Sequence, residues 1–234
     1  ALAKQAGRCS IASTMITWKN YTAWVLSMWS MDNKMEPFSQ YFLLVYYVIF
    51  FGLAMILPTY RTWKATGINP YKLGSSDSAH DYIGKNFRLV LLASFVVVVM
   101  VAFFPNSDSF LLPITLLSSD IFITLGIIVL LFAIVWVLIA QNHMKKSWRI
   151  GIDEDVKTEL VQNGLFKISR NPIFLGMRTM LLGLFLIIPN AVTLVVLIAG
   201  ELLAQIQVRL EEEFLTRTHG ESYRAYQKQV RRWL

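Results

Sequence analysis

Residues 121–140 read IFITLGIIVLLFAIVWVLIA and contain no charged side chain. An α-helix needs about 20 predominantly apolar residues to cross the hydrocarbon core of a bilayer. Backbone groups in lipid must be hydrogen-bonded within their own segment, so a helix is the expected conformation of this stretch. The stretch therefore predicts a transmembrane helix, and with it a membrane protein.

The composition of the whole chain agrees with that prediction. Of 234 residues, 55% are hydrophobic and 16% are charged, whereas a soluble domain carries about 25% charged residues. The high apolar content excludes a disordered chain. The single cysteine, Cys9, excludes a disulfide framework and a thiolate-rich metal site. Three scattered histidines do not form a metal site either, and His80 and His219 are predicted to lie on the surface.

Four further apolar runs have lengths that suit membrane-spanning helices. Two end at prolines, and the other two flank the dipeptide Pro189-Asn190, which predicts a tight turn. The runs cover residues 41–57, 89–104, 173–188 and 191–208. The chain is thus predicted to be an all-α polytopic membrane protein with about five transmembrane helices, of which the last two form a helical hairpin.

Two charges interrupt the predicted hairpin. Arg178 and Glu201 each lie about eleven residues from the turn, so they are at similar depth. An unpaired charge inside a membrane is costly. We therefore predict that the two side chains face each other, the alternative being that each reaches the interface separately.

Positive charges alternate from one connecting segment to the next. Segments 59–88, 141–172 and 209–234 each carry five or six lysines and arginines, whereas segment 105–120 and the hairpin turn carry none. Cytoplasmic loops are enriched in these residues. The alternation predicts a cytoplasmic C-terminus and explains the net charge of +7 without nucleic acid as a partner.

The N-terminal segment has a different pattern, in which methionine, tryptophan and tyrosine recur at helical spacing between polar residues. Tryptophan favours the lipid headgroup region, so an interfacial amphipathic helix is predicted, or else an element packed over a substrate entrance. The predicted organisation is an interfacial segment (1–38), three transmembrane helices (39–141) and a cofactor-binding half with the hairpin and a cytoplasmic tail (142–234).

A first polar block, residues 160–176, precedes and enters the fourth predicted span. Gly164 permits a tight turn, Asn171 falls near a helix N-cap and Pro172 suits the first helical turn. A helix start offers free N–H groups to a carboxylate. Taken alone, the block indicates only where a helix begins.

A second block follows the last span and includes three adjacent acids, Glu211, Glu212 and Glu213. Acids are unusual at the negative end of a helix dipole. If the helix continues, Glu212 can pair with Arg209 three residues earlier. By charge pattern alone, a solvated amphipathic helix is the simpler interpretation.

The hairpin is expected to bring the two blocks together at the membrane surface. A helix start beside an acidic helix end would line one pocket. Such a pocket suits a small polar cofactor with a cationic centre, and a lipid-like substrate that arrives from the bilayer.

Both blocks resemble motifs of one family. Residues 164–176, GLFKISRNPIFLG, resemble the pattern G-x-Y-x-x-x-R-H-P-x-Y-x-G, and residues 211–230 resemble E-E-x-x-L-x-x-x-x-G-x-x-Y-x-x-Y-x-x-x-V. These patterns are typical of the integral-membrane methyltransferases represented by isoprenylcysteine carboxyl methyltransferase and the phospholipid methyltransferases. The resemblance covers about residues 142–234, with Asn171 at the family's histidine and Phe174 at its second tyrosine.

The resemblance implies S-adenosylmethionine as methyl donor and a lipid-like or prenylated acceptor such as an isoprenylcysteine carboxylate. Carboxylates would attract the cofactor's cationic groups, and helix-start amides or an arginine would hold its carboxylate. The cofactor-binding residues expected on this basis are Leu165, Arg170, Asn171, Pro172, Phe174, Glu211 and Glu212. His143, just past the third predicted span, is a separate candidate for contact with the cofactor's adenine or sugar, the alternative being an interfacial histidine. Arg209 and Glu212 are the expected catalytic residues, and Arg209 would orient an acceptor carboxylate.

The sequence is also compatible with two alternatives. Sterol and steroid reductases that use NADPH carry a string similar to the first motif. A non-catalytic membrane protein that kept the fold is the other alternative, since Asn171 and Phe174 depart from the pattern.

Overall fold

A computed structural model describes residues 36–67, 78–104, 107–144 and 159–234. Within these ranges the chain is helical and forms no β-strand, only an isolated bridge. The helices are α1 (Glu36–Phe51), α2 (Leu57–Thr66), α3 (Ala79–Phe103), α4 (Asp108–Leu111), α5 (Asp120–Met144), α6 (Pro172–Ile187), α7 (Ala191–His219) and α8 (Glu221–Gln229).

Most of the predicted interfacial segment, residues 1–35, lies outside the described residues. The predicted division of the chain into three parts therefore stays a prediction. Its boundaries, after residues 38 and 141, fall inside α1 and α5.

Among the described residues, four helical segments are long and apolar enough to cross a membrane, namely Phe38–Thr66, Ala79–Phe103, Asp120–Met144 and Ala191–His219. Helix α6 occupies the place of the fourth predicted span but has only 16 residues. That is about 24 Å of helix, against a hydrocarbon core of about 30 Å. The prediction of an all-α polytopic membrane protein is confirmed, with four long apolar helices and one shorter one.

The core lies where the first span, α3 and the hairpin meet α5. Tyr47 and Phe50 of α1, Leu130 of α5 and Met180 and Leu184 of α6 are fully buried in it. Many large apolar side chains on the outer faces of the same helices are exposed. Exposed apolar faces around a packed centre are what a lipid environment requires.

The predicted end of the first span is wrong, because the helix passes through Pro58 and ends at Thr66. A π-helical turn, Gly52–Ile56, precedes the proline. Proline has no N–H to bond the carbonyl four residues earlier, which belongs to Ala54. Gln141 Nε2 of α5 donates a hydrogen bond to that carbonyl instead. The third span thus supplies a donor that the first span lacks.

Helix α3 begins at Ala79 rather than at the predicted Leu89. Ser78 caps its start, since its hydroxyl accepts a hydrogen bond from the Asp81 N–H at 3.2 Å. The first two turns carry charged and polar residues, which interrupt the apolar run but not the helix. For the same reason α7 continues beyond the predicted limit to His219.

The predicted hairpin turn is confirmed. Asn190 Oδ1 accepts the Thr193 N–H at 2.8 Å, and Thr193 Oγ1 accepts the Asn190 N–H at 3.2 Å, which together form a capping box. The loop before α5 joins the same turn, where the Ile114 N–H bonds the Pro189 carbonyl at 2.8 Å. The two connections that lack lysine and arginine therefore lie at one end of the molecule.

The predicted pairing of Arg178 with Glu201 inside the hairpin is also confirmed. Arg178 Nη2 donates to Glu201 Oε1 at 2.8 Å, and its Nε contacts the other carboxylate oxygen. Gln205 adds a hydrogen bond to the carboxylate at 2.9 Å. The indole of Trp233 lies over the guanidinium, 4.1 Å from ring centroid to Cζ.

Glycines allow α5 and α6 to approach closely. A Cβ added to Gly126 of α5 would lie 2.9 Å from the carbonyl oxygen of Gly183 and 2.5 Å from a side-chain carbon of Ile187. A Cβ added to Gly176 of α6 would likewise collide with the side chain of Val137 of α5. Small residues are the usual means of close helix packing in membranes. This packing fixes the start of α6 against the end of α5.

We expect Gly126→Ala to lower the free energy of unfolding by about 1–3 kcal/mol, because the new methyl group must push backbone aside. Unfolding in mixed micelles of rising dodecyl sulfate content would measure the change. Gly52→Ala is the matched control, since a Cβ there meets nothing within 4 Å. Equal stability of the two variants would contradict this interpretation.

Candidate active site

Glu212 is the centre of a buried polar network at the end of the hairpin away from the turn. Its side chain is 4% exposed. Oε1 accepts hydrogen bonds from Arg170 at 3.1 and 3.2 Å and from the amide of Asn171 at 3.2 Å. Arg232 donates to Oε2 at 2.8 Å through Nη2 and binds both oxygens through Nε. Burial of the carboxylate is tolerated because two cations and an amide satisfy it.

Arg170 extends the network from Glu212 to the end of α8. Its Nη1 donates to the carbonyls of Gln227 and Val230, both at 2.9 Å. The last carbonyls of a helix lack partners and favour a cation. The planar guanidinium therefore joins the start of α6, the acid of α7 and the end of α8.

The residues after α8 close the network over the first motif. Sequence reasoning missed this role of the C-terminal residues. The Arg170 N–H bonds the Arg231 carbonyl at 3.0 Å. The Arg232 carbonyl accepts from Ser169 Oγ at 3.2 Å and from the Asn171 amide at 3.3 Å. The only signal in the sequence was the pair of consecutive arginines, which we interpreted as a sign of topology.

Two tyrosines of α8 anchor that helix beneath the network. The Tyr226 hydroxyl donates to the Phe166 carbonyl at 2.6 Å, and Tyr223 is fully buried. Burial raises the pKa of Tyr226 to about 12 and also raises the pKa of Tyr223, so both stay neutral. The hydrogen bond to Glu212 raises the pKa of Arg232. The network is therefore a stable assembly of ions near neutral pH.

The start of α6 carries Asn171 at its N-cap and Pro172 in its first turn, as predicted. The Asn171 side chain joins the network and does not cap the helix, so no side chain of the described residues caps this start. The Pro172 carbonyl accepts the indole N–H of Trp136 at 2.9 Å. The Phe174 ring packs edge-on against Phe87 of α3. Within the described ranges, the first-turn N–H groups of α6 thus have no side-chain acceptor.

His143 and Leu165, both predicted to bind the cofactor, are adjacent in the structure. The Leu165 N–H points to His143 Nδ1 at 3.4 Å. Gly164 has a φ of +59°, and a Cβ there would collide with the His143 ring. This glycine is required both by its backbone conformation and by the imidazole that lies against it.

The remaining acids and Arg209 take different positions. Glu211 is half-buried and makes no hydrogen bond or ion pair with the described residues, and Glu213 is exposed. Arg209 is exposed and donates to Gln205, at 2.6 Å to its carbonyl and 2.9 Å to its side chain. The Arg209–Glu212 pair that the spacing permits is therefore not formed, so that interpretation was wrong.

Of the predicted site residues, Arg170, Asn171, Pro172 and Glu212 come together around the network. Glu211 immediately precedes Glu212 on α7. His143 lies at the end of α5, and Leu165 lies against it. The structure does not bring Arg209 into the network. The functional role of each of these residues stays a prediction.

The fold and this network define an integral-membrane protein whose polar site is built on a helical hairpin. A family model, that of the phospholipid methyltransferases, matches residues 121–222. This part of the chain, from α5 to the start of α8, is similar to that family of integral-membrane methyltransferases. A search of curated proteins found no significant match.

The family match has two consequences. Methyl transfer at a membrane is the general activity that it supports, and the family generally takes its methyl group from S-adenosylmethionine. The NADPH-dependent reductase, which the first motif alone left open, is not favoured.

Proposed function

We propose that the protein binds S-adenosylmethionine beside the Glu212 network and methylates a lipid-like or lipidated acceptor. The observation that carries the proposal is the network itself. It joins Arg170 and Asn171 of the first motif to Glu212 of the second through direct hydrogen bonds. The two motifs that suggested the function thus form one polar site.

The residues around the network fit such a methyl donor. Glu211 offers a half-buried carboxylate without a partner among the described residues, which suits a cationic group. The uncapped start of α6 suits a carboxylate. When bound, S-adenosylmethionine supplies a methyl group attached to a positively charged sulfur.

We assign Glu212 a positioning role, because its oxygens are occupied by Arg170, Asn171 and Arg232. It holds the start of α6 in place against α7. A fixed arrangement of charge in a water-poor site is how an enzyme accelerates a displacement of this kind.

A lipid acceptor fits the surroundings of the site, since the flanking helices present apolar side chains outward. An isoprenylcysteine-like carboxylate is the acceptor that needs no general base. Arg209 is exposed on α7 and is accessible to a headgroup at the membrane surface. The role of Arg209 in orienting an acceptor carboxylate stays a prediction, because its guanidinium is held by Gln205 and its position, two residues from Glu211, lies on the opposite face of α7.

We propose a cytoplasmic location for the site and for the C-terminus. The network lies at the end of the hairpin away from the turn, and the tail that closes it carries Arg231 and Arg232. The connections at the opposite end carry no lysine or arginine, which accords with the positive-inside rule.

Calorimetric titration of purified protein in nanodiscs tests the proposal. We expect saturable binding of S-adenosylmethionine and S-adenosylhomocysteine and none of NADPH. Glu211→Gln should weaken the binding of S-adenosylmethionine about tenfold, since hydrogen bonds to charged groups contribute about 1.5–3 kcal/mol. Glu213→Gln, a change of the exposed neighbour, should bind as the wild type does.

The other outcomes are equally informative. Binding of NADPH alone would overturn the proposal in favour of a reductase. Absence of binding by all three compounds would favour a non-catalytic membrane protein that kept the fold.

A further inference from the structure

His80 and Gln207 form a buried polar contact between α3 and α7. The prediction that His80 lies on the surface is wrong, because its side chain is 7% exposed and that of Gln207 is 4% exposed. The ring Nε2 lies 2.5 Å from the amide nitrogen. No local pattern predicts this contact, since 127 residues separate His80 from Gln207.

The pair leaves two buried polar atoms without partners among the described residues. These are His80 Nδ1 and Gln207 Oε1. If the amide is turned around, Nδ1 still has no partner and the amide nitrogen takes the place of the oxygen. In either orientation the pair offers one hydrogen-bond donor and one acceptor. Native interiors rarely leave such groups unsatisfied, because each costs about 1–3 kcal/mol.

The unsatisfied pair lies on the membrane side of the proposed site. Gln207 precedes Glu211 by four residues on α7, so both share one face of the helix about 6 Å apart along its axis. His80 is on the second residue of α3. The same helix contacts the start of α6 through Phe87 and Phe174, whose ring centroids are 6.0 Å apart.

We infer that His80 and Gln207 bind the headgroup of the lipid acceptor, an inference that rests on the proposed function. The matching headgroup carries both an N–H or O–H donor and an oxygen acceptor. An aminophospholipid has this chemistry in its ammonium and phosphate groups. A prenylated cysteine has it in its amide and carboxylate. The pair holds such a headgroup between the bilayer and Glu211, where the acceptor must lie.

Binding of defined lipids to the protein without cofactor tests the inference. Native mass spectrometry in detergent micelles would compare phosphatidylethanolamine and N-acetyl-S-farnesylcysteine with phosphatidylcholine, whose headgroup has no donor. His80→Phe and Gln207→Leu keep the side-chain size and remove the unsatisfied atoms. We expect each change to weaken the binding of the first two probes about tenfold and to leave the binding of phosphatidylcholine unchanged. His219→Phe is the matched control and should bind all three as the wild type does.

Resistance to unfolding separates this role from a structural one. A headgroup site predicts that the double variant, His80→Phe with Gln207→Leu, unfolds at the same or a higher dodecyl sulfate content than the wild type, because it removes the unsatisfied buried atoms and leaves neither residue without its partner. A purely structural contact predicts easier unfolding with unchanged lipid preference, which would overturn the inference. Equal retention of all three lipids by the wild type would also overturn it.

S-adenosylhomocysteine binding distinguishes failure here from failure of the proposed function. Both variants should bind it as the wild type does, since neither residue belongs to the Glu212 network. If the wild type does not bind it, the proposed function fails. If the wild type binds it and the variants keep full lipid affinity, only the headgroup role fails. Of the two probes, the one weakened by the changes identifies the class of acceptor.

Discussion

Glu212→Ala is expected to lower the free energy of unfolding by about 3–5 kcal/mol, the usual cost of removing one partner from a buried ion pair. The change leaves Arg170 and Arg232, 10% and 34% exposed, without their carboxylate. Arg170 cannot turn toward solvent, since its Nη1 is held by the carbonyls of Gln227 and Val230. Unfolding by dodecyl sulfate in mixed micelles would measure the loss.

Two further variants make this expectation specific. Glu213→Ala changes the exposed neighbour and should stay within about 0.5 kcal/mol of the wild type. Adding Arg232→Met to Glu212→Ala should restore part of the loss, because one uncompensated cation is removed. If Glu212→Ala is as stable as Glu213→Ala, the network does not hold the site together.

Glu212 and Glu211 should then differ in what they affect. Glu212→Ala is expected to reduce both stability and S-adenosylhomocysteine binding, because it releases the start of α6. Glu211→Gln should weaken S-adenosylmethionine binding without lowering stability, since Glu211 has no partner among the described residues and its charge lies next to that of Glu212. This contrast separates a residue that positions the site from one that contacts its ligand.

The bilayer is the reason that so much of the fold could be predicted from the sequence. It demands long apolar helices with internally satisfied backbones, so each span is visible as a run of apolar residues. The same demand allows the pairing of Arg178 with Glu201 to be predicted, because an unpaired charge at that depth in the membrane is costly. The hairpin turn could be predicted because Pro189 and Asn190 are local signals.

The features that could not be predicted depend on contacts between distant parts of the chain. The helix continues through Pro58 because Gln141 satisfies the carbonyl that proline leaves open. His80 is buried because Gln207 lies opposite it. Apolar periodicity carries no information on such pairings. A polar residue at a helix end looks the same in sequence whether water or another helix covers it.

The candidate site shows the same division. Its two motifs could be located, but the partner of Glu212 was expected four residues or fewer away on its own helix. The actual partners come from the start of α6 and from the residues after α8. A carboxylate that is buried by tertiary packing pairs with the cations that the fold brings nearest to it. Helical spacing therefore does not predict its partners.

The Arg178–Glu201 pair provides the second large effect. We expect Arg178→Met to lower the free energy of unfolding by about 3 kcal/mol, as an unpaired charge within a membrane helix costs about that much. The change leaves Glu201 with only the Gln205 amide as a partner among the described residues and removes the cation beneath the Trp233 ring. The matched control is Arg217→Met, an exposed arginine near the end of α7.

The sign of the double variant decides whether the two charges act as a pair. If they do, Arg178→Met with Glu201→Met removes both charges and should be more stable than Arg178→Met alone, although it carries one more substitution. If each charge reaches the interface separately, the two losses should instead add. A double variant less stable than both single variants would therefore contradict the pairing. Trp233, which lies over Arg178, directly follows Arg232, which binds Glu212. Arg178→Met should therefore also weaken S-adenosylhomocysteine binding, because the charge inside the hairpin is connected to the site at its end.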